Sequence, residues 1–357
     1  MKPAPETRTA SLAGNSATEQ YARLLKLRWV FMAGIAFIIV LSMAADITFG
    51  PAGLGWQDLY LALTQPDAME PTNSVILLDF RLPYAVMAVV VGMALGLAGA
   101  EMQTILNNPL ASPFTLGISS AAAFGASLAI VLDWGLPGLS PEWVIGANAF
   151  VFAILSALML DAMARWGAMT GSGMVLVGIA LVFSFNALVS LMQYIASAED
   201  LQNLVFWTMG SLSRASWPKI GLMALVIALI LPLTMKDAWK LTALRLGEDR
   251  AASFGIDVKR LRLVSLLRIS FLAAVAVSMV GTISFIGLIA PHIARRIFGE
   301  DHRYYLPGSA LIGAMILSLA SIASKNIASG TIVPVGIVTS LVGVPFFVSV
   351  VMRRKAG

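Results

Sequence analysis

Long apolar runs divide this chain of 357 residues, and they constrain its fold more than any other feature. Hydrophobic residues make up 58% of the sequence and charged residues only 12%, whereas a soluble domain carries roughly 25% charged residues. A soluble fold of this size could not hide so much apolar surface from water. The sequence therefore predicts an integral membrane protein that has lipid as the solvent for most of its surface.

The apolar runs have the length and composition of membrane-spanning helices. A helix rises about 1.5 Å per residue, so about 20 apolar residues cross about 30 Å of hydrocarbon. The runs are rich in Ala, Leu, Met and Gly and lack the alternating pattern of barrel strands. The predicted spans cover residues 29–45, 82–105, 114–132, 143–165, 173–197, 217–236, 262–281, 286–299, 304–324 and 334–352. The eighth is short and is interrupted by Pro291.

The chain shows no Ser/Gly-rich linker, so we predict one transmembrane domain over residues 29–355. Residues 1–28 are polar and rich in small residues, which predicts a disordered N-terminal tail on the cytoplasmic side. Residues 46–80 carry five acidic residues and no basic residue, which indicates an external loop. The longest internal polar segment, residues 237–261, is basic and separates the sixth span from the seventh.

The distribution of Lys and Arg predicts the orientation in the membrane. With the N-terminus inside, 20 of the 24 basic residues fall on the inner side, as expected because cytoplasmic loops carry an excess of Lys and Arg. Both termini are therefore predicted in the cytoplasm, and the number of spans is even. Basic loops also account for the net charge of +5, so nothing in the chain requires a nucleic-acid partner.

Glycines predict close helix packing in the second span. Gly92, Gly96 and Gly99 recur near helical spacing and give one smooth face, where a neighbouring helix can approach closely. The spacing from Gly99 to Pro109 returns from Gly281 to Pro291, which is consistent with an inverted repeat. Cys is absent, which excludes a thiolate metal site, and only two His occur. These are too few to build an imidazole site by themselves, so we predict no metal site.

Three stretches of sequence resemble the signatures of one transporter family. Residues from Arg81 read RLPYAVMAVVVGMALGLAGAEMQTILNNPLASPFTLGISSAAAFGA, and residues from Gly281 read GTISFIGLIAPHIARRIFGEDHRYYLPGSALIGA. The C-terminal run reads VPVGIVTSLVGVPFFVSVVMRR. Together they resemble the FecCD-type, BtuC-like permeases of bacterial ABC importers, which carry ferric siderophores, haem and cobalamin. The resemblance covers roughly residues 25–355.

The resemblance implies an all-α, type II ABC importer fold with ten spans in the bacterial inner membrane. It also implies a dimer with a second copy or a paralogue, two cytoplasmic ATPase subunits and a periplasmic substrate-binding protein. The chain has no G-x-x-x-x-G-K-[ST] sequence, which is the P-loop that cradles ATP. We therefore expect a translocation subunit that is not itself an enzyme, with ATP and Mg bound by the partner ATPase.

The basic segment 237–261 contains LRLGEDRAASFGIDVKRLR. Its residues alone are consistent with a solvated loop that holds a short helix ending at Gly255, a natural C-cap. The family resemblance implies instead that the segment docks into the ATPase. The candidate contact residues are Gly247, Glu248, Ala252, Phe254 and Gly255.

Arg81 and Lys325 stand at the outer ends of spans. Interfacial snorkelling is one interpretation; the resemblance implies that they bind acidic residues of the substrate-binding protein. The sequence departs from the family pattern at three places. Tyr84 and Lys325 stand where Arg is frequent, and Ser321 stands where Asp is common.

Glu101 is an acidic residue inside a predicted span, which makes it a functional candidate. It lies near the inner end, so it either snorkels or bonds to a neighbouring helix. An ion-coupled secondary transporter is the alternative from another class of protein, and Glu101 is its candidate for the coupling carboxylate. The resemblance gives this residue no role.

The spans lack the His, Cys and acid clusters that replace the hydration shell of a bare metal ion. We therefore expect a chelate as the cargo, with a ferric siderophore favoured and haem or cobalamin as alternatives. The resemblance implies that the fifth and tenth spans line the pathway. The candidate lining residues are Ser184, Asn186, Gln193, Thr339 and Ser340.

Overall fold

A computed structural model describes residues 6–49, 55–65, 69–135, 138–166, 171–328 and 330–353 of the chain. Within these ranges the protein is built from helices and turns, without a strand. In chain order the helices are α1 (Glu6–Thr48), α2 (Trp56–Thr64), α3 (Pro71–Val75), α4 (Leu82–Ile105), α5 (Ile118–Leu132), α6 (Pro141–Trp166), α7 (Gly171–Ile195), α8 (Ala198–Thr208), α9 (Trp217–Lys236), α10 (Ala238–Leu244), α11 (Glu248–Ser253), α12 (Val258–Val280), α13 (Ile286–Phe298), α14 (His302–Asn326) and α15 (Val335–Arg353). A π-helical turn, Ile76–Arg81, leads into α4.

The predicted all-α membrane fold is confirmed. Each of the ten predicted spans has a helical counterpart: α1, α4, α5, α6, α7, α9, α12, α13, α14 and α15. Over the described residues, seven of these helices are long and apolar enough to cross a membrane, and Ile118–Leu132 and Val335–Val350 are shorter apolar helices. The remaining helix, α13, is the one that the sequence marks as interrupted by Pro291.

The centre of the bundle is α4, and its glycines determine what packs there. Gly92 and Gly96 lie against the backbone of Gly313 and Ser309 on α14, while Gly99 lies against α13. The predicted smooth face is therefore confirmed, and it serves two neighbouring helices. In its most apolar stretch, 72% of the residues of the span that contains α4 are buried, against 22% for α7. Thus α4 is a core helix and α7 a peripheral one.

Two helices are too short to cross the bundle. The 13 residues of α13 span about 20 Å at 1.5 Å per residue, and it begins with Gly287 packed against Leu95 and Gly99 of α4. Similarly, α5 begins beside Gly178 and Leu181, about two turns inside α7. Both helices therefore begin inside the bundle, beside a longer helix.

The pair of prolines that the sequence suggested as marks of that repeat are not equivalent in the structure. Pro109 lies in the turn after α4, whereas Pro291 lies inside α13. Pro291 is the sixth residue of α13, and it lacks the N–H that would otherwise donate to the carbonyl of Gly287 one turn earlier. The shared glycine–proline spacing therefore does not mark equivalent positions, and the inverted repeat stays a prediction.

The N-terminal prediction differs from the structure. Where residues 1–28 were expected to be disordered, α1 is helical from Glu6 onward; residues 1–5 lie outside the described ranges. The stretch before Trp29 is rich in Ala, Glu, Leu, Lys and Arg, which are strong helix formers. Arg28, near the middle of α1, lies 3.7 Å from Asp301 and 4.9 Å from the ring centre of Tyr304.

Two ends of the bundle are distinguished by their charged residues. The basic end carries Arg28, Arg245 and Arg262, and the segment with α10 and α11 lies there. The far end carries Arg81 and Lys325. The expected external loop over residues 46–80 begins later than predicted, because α1 continues to Thr48 and keeps Asp46 inside the helix.

Candidate functional site

The polar segment between α9 and α12 folds into two short helices at the basic end. Gly247 (φ +112°) and Gly255 (φ +78°) border α11, and both adopt backbone conformations that favour glycine. The amide of Ile256 donates to the Ala251 carbonyl at 3.2 Å and closes the helix end. The predicted short helix ending at Gly255 is therefore confirmed. Asp257 then caps α12 by accepting from the amide of Arg260 at 3.0 Å.

Four of the five candidate ATPase contacts, Glu248, Ala252, Phe254 and Gly255, are exposed on this segment, and Gly247 is half-buried. The ring of Phe254 is 6.4 Å from that of Trp239, and the two residues are 56% and 60% exposed. Leu246 is exposed beside them. Large apolar side chains on an otherwise charged segment indicate a protein-binding surface. Trp239 and Leu246 were missed in the sequence because their periodicity matches an ordinary amphipathic helix.

The α10–α11 segment is tied to the end of α4 by polar contacts. Arg245 donates to Asn107 at 2.7 Å and to Glu300 at 3.1 Å. Arg262 donates to the carbonyl oxygen of Ile105 at 3.2 Å and pairs with Glu248 at 2.6 Å. These contacts join the segment to the α4 terminus and to the α13–α14 junction.

A buried histidine completes this connection. The Nε2 atom of His302 is 2.7 Å from the hydroxyl of Thr104 on α4. Its Nδ1 atom is 3.1 Å from the hydroxyl of Thr242 on α10 and 3.0 Å from the Glu300 carbonyl. One imidazole ring therefore bridges three elements through hydrogen bonds. Sequence reasoning missed His302, because its partners Thr104 and Thr242 are distant along the chain.

Glu101 is fully buried and forms an ion pair with Arg268 of α12, whose Nη2 atom lies 2.5 Å from Oε1. Thr234 on α9 donates to the second carboxylate oxygen at 3.3 Å. The other terminal nitrogen of Arg268 donates to Asp237 at 2.8 Å. Of the two structural interpretations of Glu101, the bond to a neighbouring helix is the one observed.

Asp237 lies outside the spans, and its pKa is lowered. Burial by itself would raise the pKa of this carboxyl group, but the hydrogen bonds from Lys240 and Arg268 outweigh that effect. Asp237 is therefore ionised at neutral pH. It joins the end of α9 and the start of α10 to the buried pair.

At the far end, Arg81 and Lys325 are buried, each with 7% of its surface exposed. The Lys325 ammonium lies 2.9 Å from the carboxylate of Asp46 and donates to its backbone carbonyl at 2.8 Å. Ser321 donates to the same carboxylate at 2.7 Å. Tyr84 places its ring 4.3 Å from the Lys325 nitrogen. All three positions that depart from the family pattern thus lie around Asp46.

Arg81 acts on the same end of α1. It donates to the backbone carbonyls of Ile47 and Thr48 at 2.8 and 2.9 Å. The last carbonyl groups of a helix lack intrahelical hydrogen-bond donors. At this end of α1 the side chains of Arg81 and Lys325 are the donors. Both predicted docking residues therefore have partners within the chain, and their binding to another protein stays a prediction.

The candidate pathway residues fall on two separate surfaces. Ser184 and Asn186 are exposed on α7 and Gln193 is half-buried there. Thr339 is buried on α15. Ser340, also on α15, lines a cleft of about 560 Å³.

Residues that carry hydroxyl groups line this cleft together with Ser340, and they come from two further elements. Thr208 comes from the end of α8, and Thr282 and Ser284 come from the segment before α13. Thr282 donates to the Thr208 carbonyl at 2.5 Å, which holds the two segments together. A signal for these residues was present in the sequence, because Gly210 lies close after Thr208 and Gly281 directly precedes Thr282. Across the described ranges, no three His, Asp or Glu side chains converge as a metal site would require.

Comparison with known proteins identifies the relatives of this chain. The sequence profile of the FecCD transport family matches residues 35–353. A hemin transport system permease of Yersinia pestis is 35% identical over 91% of this chain and 96% of its own length. A vitamin B12 import system permease of Vibrio vulnificus is 37% identical over 78% of this chain and 83% of its own.

Two further matches extend the comparison to another cargo and to the fold. A probable siderophore transport system permease of Bacillus subtilis is 34% identical over 91% of this chain and 96% of its own length. A solved structure of an inward-facing ABC transporter, assigned to the metal-chelate type, superposes with a TM-score of 0.78. That chain is 28% identical, and the match covers 90% of this chain and 99% of the other.

Proposed function

The chain belongs to the FecCD transport family, and we propose that it is the membrane permease of an ATP-driven importer that moves a ferric siderophore from periplasm to cytoplasm. Members of this family are translocation subunits of ABC transporters, and ATP hydrolysis by a separate ATPase is consistent with that role. The proposal adds the direction of transport, the cargo and the partners.

The observation that carries the proposal is the α10–α11 segment. It exposes Trp239, Leu246 and Phe254 on a polar surface, and its underside is fixed to α4 by Arg245 and Arg262. The exposed apolar side chains can bind a partner protein, and the bonds to α4 can transmit the movement of that partner to the bundle. We assign the two ATPase subunits to this surface, with Gly247, Glu248, Ala252, Phe254 and Gly255 in the contact.

The cargo class is supported by the relatives and by the side chains. The relatives are named for hemin, vitamin B12 and siderophore transport, and each of these cargoes is a large organic molecule that holds its metal. The cleft at Ser340 offers hydroxyl groups and apolar walls, which bind polar edges of such a molecule. Haem and cobalamin are the alternative cargoes.

The location and the other partners follow the same proposal. The basic end, with 20 of the 24 Lys and Arg residues assigned to its side, lies in the cytoplasm together with both termini. The far end faces the periplasm and receives the substrate-binding protein. A second permease, either an identical copy or a paralogue, completes the pathway in the inner membrane.

The absence of cysteine allows a direct test. In an otherwise Cys-free chain, Phe254→Cys is expected to cross-link to the candidate ATPase, and the variant Asp79→Cys, at a residue that is also exposed but lies at the far end, is not. Equal cross-linking of the two variants would contradict the assignment. Proteoliposomes with the complete transporter then receive labelled ferric siderophore, hemin or cobalamin in turn.

The same vesicles test the ion-coupled alternative. Uptake that requires ATP and continues without an ion gradient supports the importer. Uptake that follows a proton or sodium gradient in the absence of the ATPase would instead support a secondary transporter.

A further inference from the structure

The role of Arg268 is not accounted for by span formation or by docking. Its guanidinium carries five N–H donors, and five hydrogen bonds extend from it. Two go to Glu101, at 3.0 and 2.5 Å. The others reach Asp237 at 2.8 Å, the Leu233 carbonyl at 3.1 Å and the Ser265 hydroxyl at 3.1 Å.

These acceptors belong to elements with different positions in the fold. Glu101 lies on α4, the core helix. Leu233 lies in the last turn of α9, and Asp237 is the residue that separates α9 from α10. Thr234, next to Leu233, adds a second link from α9 to Glu101. The α9–α10 junction is therefore attached to α4 through one buried guanidinium.

A guanidinium with all its donors in use behaves as a rigid connector. Its planar fork fixes the directions of its bonds, which the ammonium of a lysine does not do. Moving α10 relative to α4 would break charge-assisted hydrogen bonds inside a buried site. Such bonds are about twice as strong as neutral ones, so the two elements are expected to move together.

Close packing also restricts the movement of α4 relative to its neighbouring helices. Gly92 and Gly96 touch the backbone of α14, and Gly99 touches that of α13. Displacement of α4 is therefore passed to both helices. In contrast, a Cβ atom built at Gly247 or at Gly255 would meet no atom of the described residues within 4 Å, so the outer part of the segment has room to adjust to a partner.

We propose that Arg268 is a positioning residue for coupling: it transmits movement of the α9–α10 junction to α4 and hence to the transport pathway. The inference rests on the proposed function, because it assumes that an ATPase moves the α10–α11 segment. Arg268 itself touches neither cargo nor nucleotide.

Asp237→Ala tests this inference without disturbing the buried pair. It removes one arm of the connector and leaves the bonds between Glu101 and Arg268. The side chain of Asp237 caps no helix, so the variant should fold. Lys240→Gln is the matched control, since it removes the other cation, 2.8 Å from the same carboxylate.

Each variant is assembled with its ATPase and binding protein in proteoliposomes. The readouts are ferric siderophore taken up per ATP hydrolysed and the stimulation of ATP hydrolysis by the loaded binding protein. For Asp237→Ala we expect both to fall about tenfold, as the loss of one hydrogen bond between charged groups implies. For Lys240→Gln we expect native values.

A second variant separates coupling from stability. Glu101→Leu combined with Arg268→Met replaces the pair by apolar side chains, a change that often leaves stability intact. It is expected to bind the ATPase normally and to lose coupling as Asp237→Ala does. Native coupling in either variant would overturn the inference, whereas failure of the native chain to bind any ATPase would overturn the proposed function.

Discussion

Replacing Gly99 by alanine tests the central contact between α4 and α13. A Cβ atom at Gly99 would lie 1.9 Å from the carbonyl oxygen of Gly287 and 2.6 Å from its Cα atom. Ordinary contact begins at 3.4 Å, so the two helices must separate by about 1.5 Å. Both opposing atoms belong to backbone, and no side chain can rotate away.

The expected magnitude follows from two opposing effects. Overpacking typically destabilises a fold by 1–3 kcal/mol. We take the upper value, about 3 kcal/mol, because the clash at Gly99 is with backbone atoms that cannot rotate away. Alanine recovers up to about 1 kcal/mol of helix propensity. The net loss of about 2 kcal/mol corresponds to a fall in the unfolding temperature of about 3 °C in a chain of this size. Heating in detergent, followed by size-exclusion chromatography of the remaining native protein, measures the shift.

Gly221 on α9 provides the matched control. Nothing among the described residues lies within 4 Å of a Cβ built there, so alanine gains helix propensity without a clash. Gly221→Ala is expected to leave the unfolding temperature unchanged or to raise it by about 1 °C. If both variants shift in the same direction and by similar amounts, close packing at Gly99 does not hold α4 against α13.

Three further predictions concern the charged groups. Glu101→Ala leaves the buried guanidinium of Arg268 with Asp237 as its one remaining carboxylate and is expected to cost about 3–5 kcal/mol in detergent unfolding; a loss below 1 kcal/mol would contradict the buried pair. Lys325→Met leaves Asp46 without its nearest cation, and the same unfolding assay should show a similar loss that Asp46→Asn partly reverses in the double variant. The pKa of Asp237 is lowered from its usual 3.8, so its ionised form stabilises the fold at every pH above that value, and this contribution disappears as the pH falls through the lowered pKa. The stability difference between the native chain and Asp237→Asn should therefore be constant from pH 8 to about 5 and vanish in acid; a difference that disappears near pH 6 would contradict this assignment.

The positions of the spans could be predicted from the sequence because lipid imposes a minimum apolar length on each one. The predicted second span, residues 82–105, coincides with α4. The same reasoning failed where a helix does not cross. The amphipathic helix α8 (Ala198–Thr208) was not predicted, since its mixed polarity resembles a loop. Likewise, the internal start of α13 depends on Gly287 meeting Gly99, a contact that no local pattern reports.

The candidate sites divide in the same way. The short helix at Gly255 follows from local chemistry, because glycine adopts the required backbone conformation. The ion pair of Glu101 with Arg268 joins residues 167 positions apart, and distance along the chain concealed it. A signal was present, since an acid and a base inside two different spans are expected to pair. The burial of Arg81 and Lys325 was hidden because Asp46 was assigned to a loop instead of to the last turn of α1.

The ending of α1 has a consequence for biogenesis. The carbonyls of its last turn are completed by Arg81, 33 and 34 residues later, and by Lys325, 279 residues later. During synthesis the carboxylate of Asp46 therefore lacks its cation, Lys325, until the ninth predicted span has been made. A chain truncated before Lys325 would therefore leave the carboxylate of Asp46 without the cation that pairs with it in the complete fold.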